Sequence, residues 1–80
     1  MTAVSVGAVT PVLLASDWQD VQNLGSVDVY FDTASTVSTT TGLKIAAGGS
    51  MSRPPGISNY PCYLIAASST ADVRYSQISQ

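Results

Sequence analysis

Hydrophobic and polar side chains alternate over short stretches of this chain, most clearly over residues 26–32. One side of this stretch carries Val27, Val29 and Phe31, and the other carries Asp28, Tyr30 and Asp32. Successive side chains of a strand point to opposite faces, so the pattern predicts an antiparallel strand with one buried and one solvated face. Because Leu24-Gly25-Ser26 has the composition of a turn, we predict that residues 20–32 form a β-hairpin.

Other segments have strand patterns of two kinds. Alternation predicts three inward-facing pairs, namely Val4 and Val6, Leu43 and Ile45, and Val73 and Tyr75. Residues 12–15 are instead apolar at successive positions, which is typical of a strand buried on both faces. Residues 60–67 are apolar in the same way, which predicts a central strand or a subunit contact. Residues 33–41 are nearly all Ser, Thr and Ala, with Val37 alone to pack, which favours a loop.

The spacing of these segments predicts the fold class. We expect about six or seven short antiparallel strands, with turn residues at the roughly 8–12-residue intervals of sandwiches and barrels. The whole chain, residues 1–80, is then one all-β domain, a small β-sandwich or barrel of jelly-roll-like or immunoglobulin-like type.

Composition removes several function classes. The chain has no histidine and no glutamate, a net charge of −2 and 10% charged residues, against about 25% in ordinary soluble domains. Lys44, Arg53 and Arg74 are too few and too dispersed to neutralise nucleic-acid phosphates or an anionic membrane. Residues 1–15 have no basic segment, and Pro11 interrupts their apolar run, so we expect no signal peptide there.

Candidate chemistry is equally sparse. Cys62 has no second cysteine and no histidine to activate it, so we predict a buried, inert thiol, with no disulfide and no zinc site. Asp28 and Asp32 are about 13 Å apart along one strand at roughly 3.3 Å per residue, too far for acid–base pairing. We therefore expect no enzyme activity, cofactor, metal or small-molecule substrate.

The aromatic residues permit two interpretations. Together they could line a sugar-binding platform, but core packing or a subunit interface is the interpretation that we favour. They are Trp18, Tyr30, Tyr60, Tyr63 and Tyr75.

A domain of this length buries only roughly 60–65% of its unfolded surface, so we expect support from self-association or from docking on a larger assembly. The loop of residues 33–41 is either a contact loop or a solvated connection.

Three segments together resemble a known class of proteins. They are VQNLGSVDV from Val21, GLKIAAGGS from Gly42 and YLIAASSTADVR from Tyr63. Their order resembles small accessory structural proteins of tailed bacteriophages, which carry a "QN.G…V.V" hairpin, a strand and turn of the form "G(L/I).(L/I)..G.S", and a closing "AS.TA.VR" hairpin. The similarity covers about residues 11–75, and the proline-rich residues 53–61 have no counterpart in it.

The resemblance implies a virion component with a β-sandwich or jelly-roll-like fold, assembled in the host cytoplasm as a trimer or ring. We expect a capsid decoration or cement protein that contacts the major capsid protein. A head fibre, a tail, neck or collar component, and a carbohydrate-binding host-attachment module are the alternatives. No catalytic residue comes with the resemblance. The predicted interface comprises Val12, Leu13, Leu14, Pro54, Pro55, Ile57, Tyr60, Tyr63 and Ile65.

Overall fold

A computed structural model describes residues 2–53 and 61–77 of the chain. These residues form two four-stranded antiparallel sheets. Its strands are β1 (Thr2–Gly7), β2 (Val12–Leu13), β3 (Trp18–Asn23), β4 (Val29–Asp32), β5 (Leu43–Ile45), β6 (Ser50–Ser52), β7 (Tyr63–Ala66) and β8 (Thr70–Gln77). The first sheet has the order β1-β8-β3-β6 and the second has the order β2-β7-β4-β5. This arrangement confirms an all-β fold and is consistent with a small β-sandwich. The described residues include no helix long and apolar enough to cross a membrane.

The core lies between the two sheets and takes alternate side chains from each. Val21, Val73 and the fully buried Trp18 come from the first sheet, and Val29 and Phe31 come from the second. The rings of Trp18 and Phe31 have centroids 6.1 Å apart and an interplanar angle of 58°. This tilted contact joins the two sheets, and tilted aromatic pairs contribute about 0.5–1.5 kcal/mol beyond the area they bury.

The predicted hairpin over residues 20–32 is wrong. β3 pairs with β6 and β8 in the first sheet, whereas β4 pairs with β5 and β7 in the second. The chain therefore passes from one sheet to the other between Asn23 and Val29. The predicted alternation is nevertheless confirmed, because Val29 and Phe31 are buried and Val27 packs against them.

Several other strand predictions are confirmed. Val73 and Tyr75 are buried on β8, and β7 is an interior strand whose Leu64 and Ala66 are also buried. Residues 33–41 form no strand, and Val37 is buried with 4% of its surface exposed. The described residues form eight strands instead of six or seven, because residues 50–52, for which no strand is predicted, add a short one.

Two predictions of burial are wrong, and both concern edge strands. Leu13 is 56% exposed on β2, and Leu43 is 62% exposed on β5. Leu43 lies opposite the buried Phe31, on the core side as predicted, but it lies on an edge strand. An edge strand has a neighbour on one side only, which leaves its side chains less covered. The predictions for Pro54, Pro55, Ile57, Tyr60 and Ile78 lie outside the described residues.

Candidate interaction surface

The outer side of the second sheet carries a group of half-exposed apolar and aromatic side chains. On β7, Tyr63 and Ile65 alternate with the buried Leu64 and Ala66, so they point away from the core. On β4, Tyr30 lies between the buried Val29 and Phe31 and therefore points outward as well.

The strand register joins these side chains into two rows across the sheet. In one row, Leu13 lies opposite Tyr63, and Tyr63 lies opposite Asp32. In the other row, Ile65 lies opposite Tyr30, and Tyr30 lies opposite Lys44. Directly opposed residues of an antiparallel pair share a face, with Cβ atoms about 4.5–5.5 Å apart. Leu13, Tyr30, Tyr63 and Ile65 thus form one patch, which we call the apolar face.

The outer side of the first sheet is very different in chemistry. Its exposed positions include Ala3, Ser5, Asp20, Gln22, Ser50, Ser52, Thr70, Asp72 and Arg74. Arg74 and Asp72 form an exposed ion pair of 3.5 Å, and the Ser52 hydroxyl donates to Asp20 over 2.7 Å. Over the described residues the two outer sides of the molecule therefore differ, and only the second offers a patch of large apolar side chains.

The loop of residues 33–41 borders the apolar face at Tyr30. A Cβ added at Gly42 would lie 2.8 Å from Cβ of Tyr30 and 3.0 Å from Cγ2 of Val37. Glycine at this position therefore lets the end of the loop pack closely against β4. Within the loop, the Gly42 amide donates to the carbonyl of Ser38 over 2.9 Å, and the Ser38 hydroxyl bonds to Thr41.

The residues predicted for the interface are distributed unevenly. Leu13, Tyr63 and Ile65 lie together on the apolar face. Val12 lies opposite Leu64 and packs against the core, and Leu14 is 3% exposed within the core, so it offers almost no surface. The interface prediction omitted Tyr30, although its place between Val29 and Phe31 on an alternating strand already indicated an outward direction.

A pocket beside Leu13 does not suit a drug-sized ligand. Leu13, Leu14, Ser16, Pro61 and Tyr63 line this pocket, whose volume is about 210 Å³. Pockets that hold drug-sized molecules have volumes of about 300–1,000 Å³. The apolar face is thus better suited to contact with another protein than to a small molecule.

The residues proposed for a sugar platform are not all at the surface. Trp18 is fully buried and Tyr75 is 7% exposed, so neither presents a ring face on which a sugar could stack. The guanidinium of Arg53 lies 5.9 Å from the Trp18 ring centroid, and its Nη1 donates to the carbonyls of Ser16 (3.0 Å) and Trp18 (3.1 Å). Arg53 itself is only 7% exposed, a burial that composition alone does not reveal.

The Cys62 thiol and the Asp28 carboxylate are in environments typical of structural groups. Cys62 is fully buried, as predicted, and burial raises the pKa of its thiol to about 12. The carboxylate of Asp28 accepts from the Ala47 amide over 3.1 Å and pairs with Lys44 at 3.4 Å. Over residues 2–53 and 61–77, no three histidine, cysteine, aspartate or glutamate side chains are grouped so that they could hold a metal ion.

Comparison with known protein families, with curated proteins and with solved structures finds no match to this chain.

Proposed function

We propose that this chain is a structural protein of a bacteriophage virion, which decorates or cements the head by contact with the major capsid protein. It acts without catalysis, and its apolar face is the surface that meets the coat. The observation that carries this proposal is the contrast between the two outer sides of the molecule. A patch of Leu13, Tyr30, Tyr63 and Ile65 on one side opposes a side of small and polar residues.

Interface energetics favour the apolar face as the contact. Tyrosine is enriched at the centres of protein interfaces, where charged residues are depleted. Asp32 and Lys44 lie at the ends of the two rows, so a charged rim borders an uncharged centre. Many copies on a regular lattice would make even weak contacts effective, because each added contact between linked copies is effectively intramolecular. The order of the three sequence segments supports the assignment to a phage.

Two alternatives remain proposals of lower rank. A head fibre or a tail, neck or collar component would use the same face on a different partner. Among the described aromatic residues, a carbohydrate-binding module would have to rely on Tyr30 and Tyr63, because Trp18 and Tyr75 are buried. Self-association is a further part of the proposal, and the trimer or ring that the resemblance implies is one of its candidate forms.

The test is to locate the protein in phage particles. Particles from a phage with the gene intact and from one with the gene deleted are purified, labelled with a specific antibody and imaged by electron microscopy. We expect label on the heads of the first sample only, together with earlier head rupture on heating of the second.

Other outcomes separate the alternatives. Label confined to the tail or neck would replace capsid decoration by the second location. Absence of the protein from the particles would overturn a virion role, and specific binding on a glycan array that Tyr63→Ala abolishes would then favour the carbohydrate module.

A further inference from the structure

The four edge strands of the sandwich are not protected equally. β2, β5 and β6 have two or three residues each, whereas β1 has six. Exposed strand edges present unpaired backbone groups, and natural proteins limit this hazard by shortness, charge, proline or coverage. β5 contains Lys44, β2 follows Pro11, and β6 is limited to three residues. The sequence of β1, TAVSVG, has no charged side chain and no proline.

The free edge of β1 lies on one side of the first sheet. Among the described residues, β1 pairs with β8 alone, from Thr2 opposite Tyr75 to Gly7 opposite Thr70. In an antiparallel ladder, alternate residues direct their amide and carbonyl groups away from the partner strand. Val9, which is 89% exposed, follows this edge and is the most exposed large hydrophobic residue among those described.

We propose that β1 pairs antiparallel with β1 of a second copy of this chain. The contact would join two first sheets into one continuous sheet of eight strands, four from each copy. A two-fold contact of this kind is isologous, so the same edge satisfies the outward backbone groups of both copies at once. The inference goes beyond the proposed function, because it concerns the edge of the first sheet instead of the apolar face of the second.

The side chains of β1 suit self-pairing. Val4 and Val6 face the core, whereas Ala3 and Ser5 are exposed on the outer side. Because side chains alternate, the faces of the two copies match only when one β1 residue lies opposite its own counterpart. With Val4 at this position, Ala3 lies opposite Ser5; with Ser5 there, two serines meet. Neither register opposes like charges, which would be unfavourable.

For this edge, β1 of a second copy is a better partner than β2, β5 or β6 of a second copy would be. Pairing of β1 with β2, β5 or β6 of another copy would leave half or more of its six residues without a partner. The net charge of −2 also gives only weak repulsion between copies. A dimer joined in this way carries two apolar faces, so that it could bind a lattice at two points.

The experiment combines light scattering with amide hydrogen exchange on the full chain, from about 10 µM to about 1 mM. We expect a shift from monomer to dimer with concentration. Over the same range, the β1 amides that point away from β8 should become at least tenfold slower to exchange. Those that bond to β8 should be slow at every concentration.

The matched variants are Ala3→Lys/Ser5→Lys on β1 and Ser50→Lys/Ser52→Lys on β6, the opposite edge of the same sheet. Each pair adds two positive charges at exposed positions and changes the net charge from −2 to 0. We expect the β1 variant to be monomeric up to about 1 mM and the β6 variant to dimerise like the unmodified protein.

Three results would overturn the proposal. They are a monomer throughout the concentration range, a trimer or ring as the first assembled species, and a dimer whose outward β1 amides exchange as fast as in the monomer. The exchange measurement needs no substitution, so it stays decisive even if a variant fails to fold. Binding to phage heads is not measured, and failure here is therefore distinct from failure of the virion role.

Discussion

Asn23 is a buried polar residue whose hydrogen bonds connect the two sheets. It is fully buried at the end of β3, and its Nδ2 donates to the carbonyls of Val27 (2.9 Å), Ile45 (3.1 Å) and Ala46 (3.3 Å). Its Oδ1 accepts from the Gly25 amide over 3.0 Å. One amide side chain thus provides hydrogen bonds to backbone groups in the crossing segment and at the end of β5.

Loss of the Asn23 side chain should be strongly destabilising. We expect Asn23→Ala to lower the free energy of unfolding by about 3 kcal/mol, because several buried backbone groups would lose their partner. A domain of this size has a total of about 4–12 kcal/mol. Urea unfolding followed by Trp18 fluorescence measures the change, and Gln22→Ala, at an exposed neighbouring position, is the control. Equal stability of the two variants would contradict this role for Asn23.

The buried thiol of Cys62 should make stability depend on pH in the alkaline range. Burial raises its pKa from 9.0 to about 12 in the folded chain. Between these values the unfolded chain has released the proton that the folded chain retains, so stability falls as pH rises, by up to about 1.4 kcal/mol per pH unit. Below the lower value, both states keep the proton and this contribution is constant.

A Cys62→Ala variant isolates this effect, because it removes the thiol and keeps every other ionisable side chain. Urea unfolding at pH 7.5, 9.5 and 10.5 should show that the unmodified protein loses stability more steeply above pH 9 than the variant does. Parallel curves for the two proteins would show that the folded thiol is not protected from ionisation.

At the scale of elements, the crossing from β3 to β4 depends on a close approach at Gly25. A Cβ there would lie 3.0 Å from both Cα of Ala71 and the amide nitrogen of Asp72. The neighbouring Leu24 amide donates to the Asp72 carbonyl over 2.8 Å, which holds the crossing segment against the start of β8. These neighbours are backbone atoms, which cannot move aside as a flexible side chain can.

We therefore expect Gly25→Ala to destabilise the fold by about 1–3 kcal/mol through overpacking. Gly7→Ala is the matched control, because a Cβ at Gly7 meets nothing within 4 Å. Thermal unfolding followed by circular dichroism gives both values. A Gly25→Ala protein as stable as the Gly7→Ala protein would rule out the close approach.

The same crossing shows how far the pattern of the sequence predicts the fold. Alternation correctly identified the inward side of β4, since period two follows from strand geometry whatever the partner strand is. The hairpin was wrong because a turn at Leu24-Gly25-Ser26 suits both a return within one sheet and a crossing between two. What distinguishes them is the pairing of β3 with β6 and β8 and of β4 with β5 and β7, all of which come later in the chain. Such long-range pairing has no local signal.

Prediction of the surface had a similar limit. The apolar run of residues 60–67 correctly indicated an interior strand, and Tyr63 and Ile65 on its outer side joined the predicted interface. Leu14 was included because a run of apolar letters does not reveal which members face the core. Tyr30 was missed because the register that places it beside Ile65 comes from pairing between distant strands.

For the whole molecule, the difference between its two outer sides predicts that the apolar face binds the coat and that the outer side of the first sheet does not. Leu13→Asp places a charge on the apolar face at an exposed edge position, and Gln22→Asp places the same charge on the polar side of the first sheet. Exposed substitutions of this kind change stability by less than about 0.5 kcal/mol. Both variants should therefore fold like the unmodified protein, as urea unfolding would verify.

Binding is then measured by cosedimentation of each variant with phage heads from the gene-deleted phage. We expect Leu13→Asp to weaken binding at least tenfold, because a carboxylate loses its hydration at an apolar contact without gaining a partner. Gln22→Asp should bind as the unmodified protein does. If the two variants lose binding equally, net charge and not the apolar face controls attachment. If Gln22→Asp alone loses it, the polar side of the first sheet is the docking surface, and the assignment of the two sides is reversed.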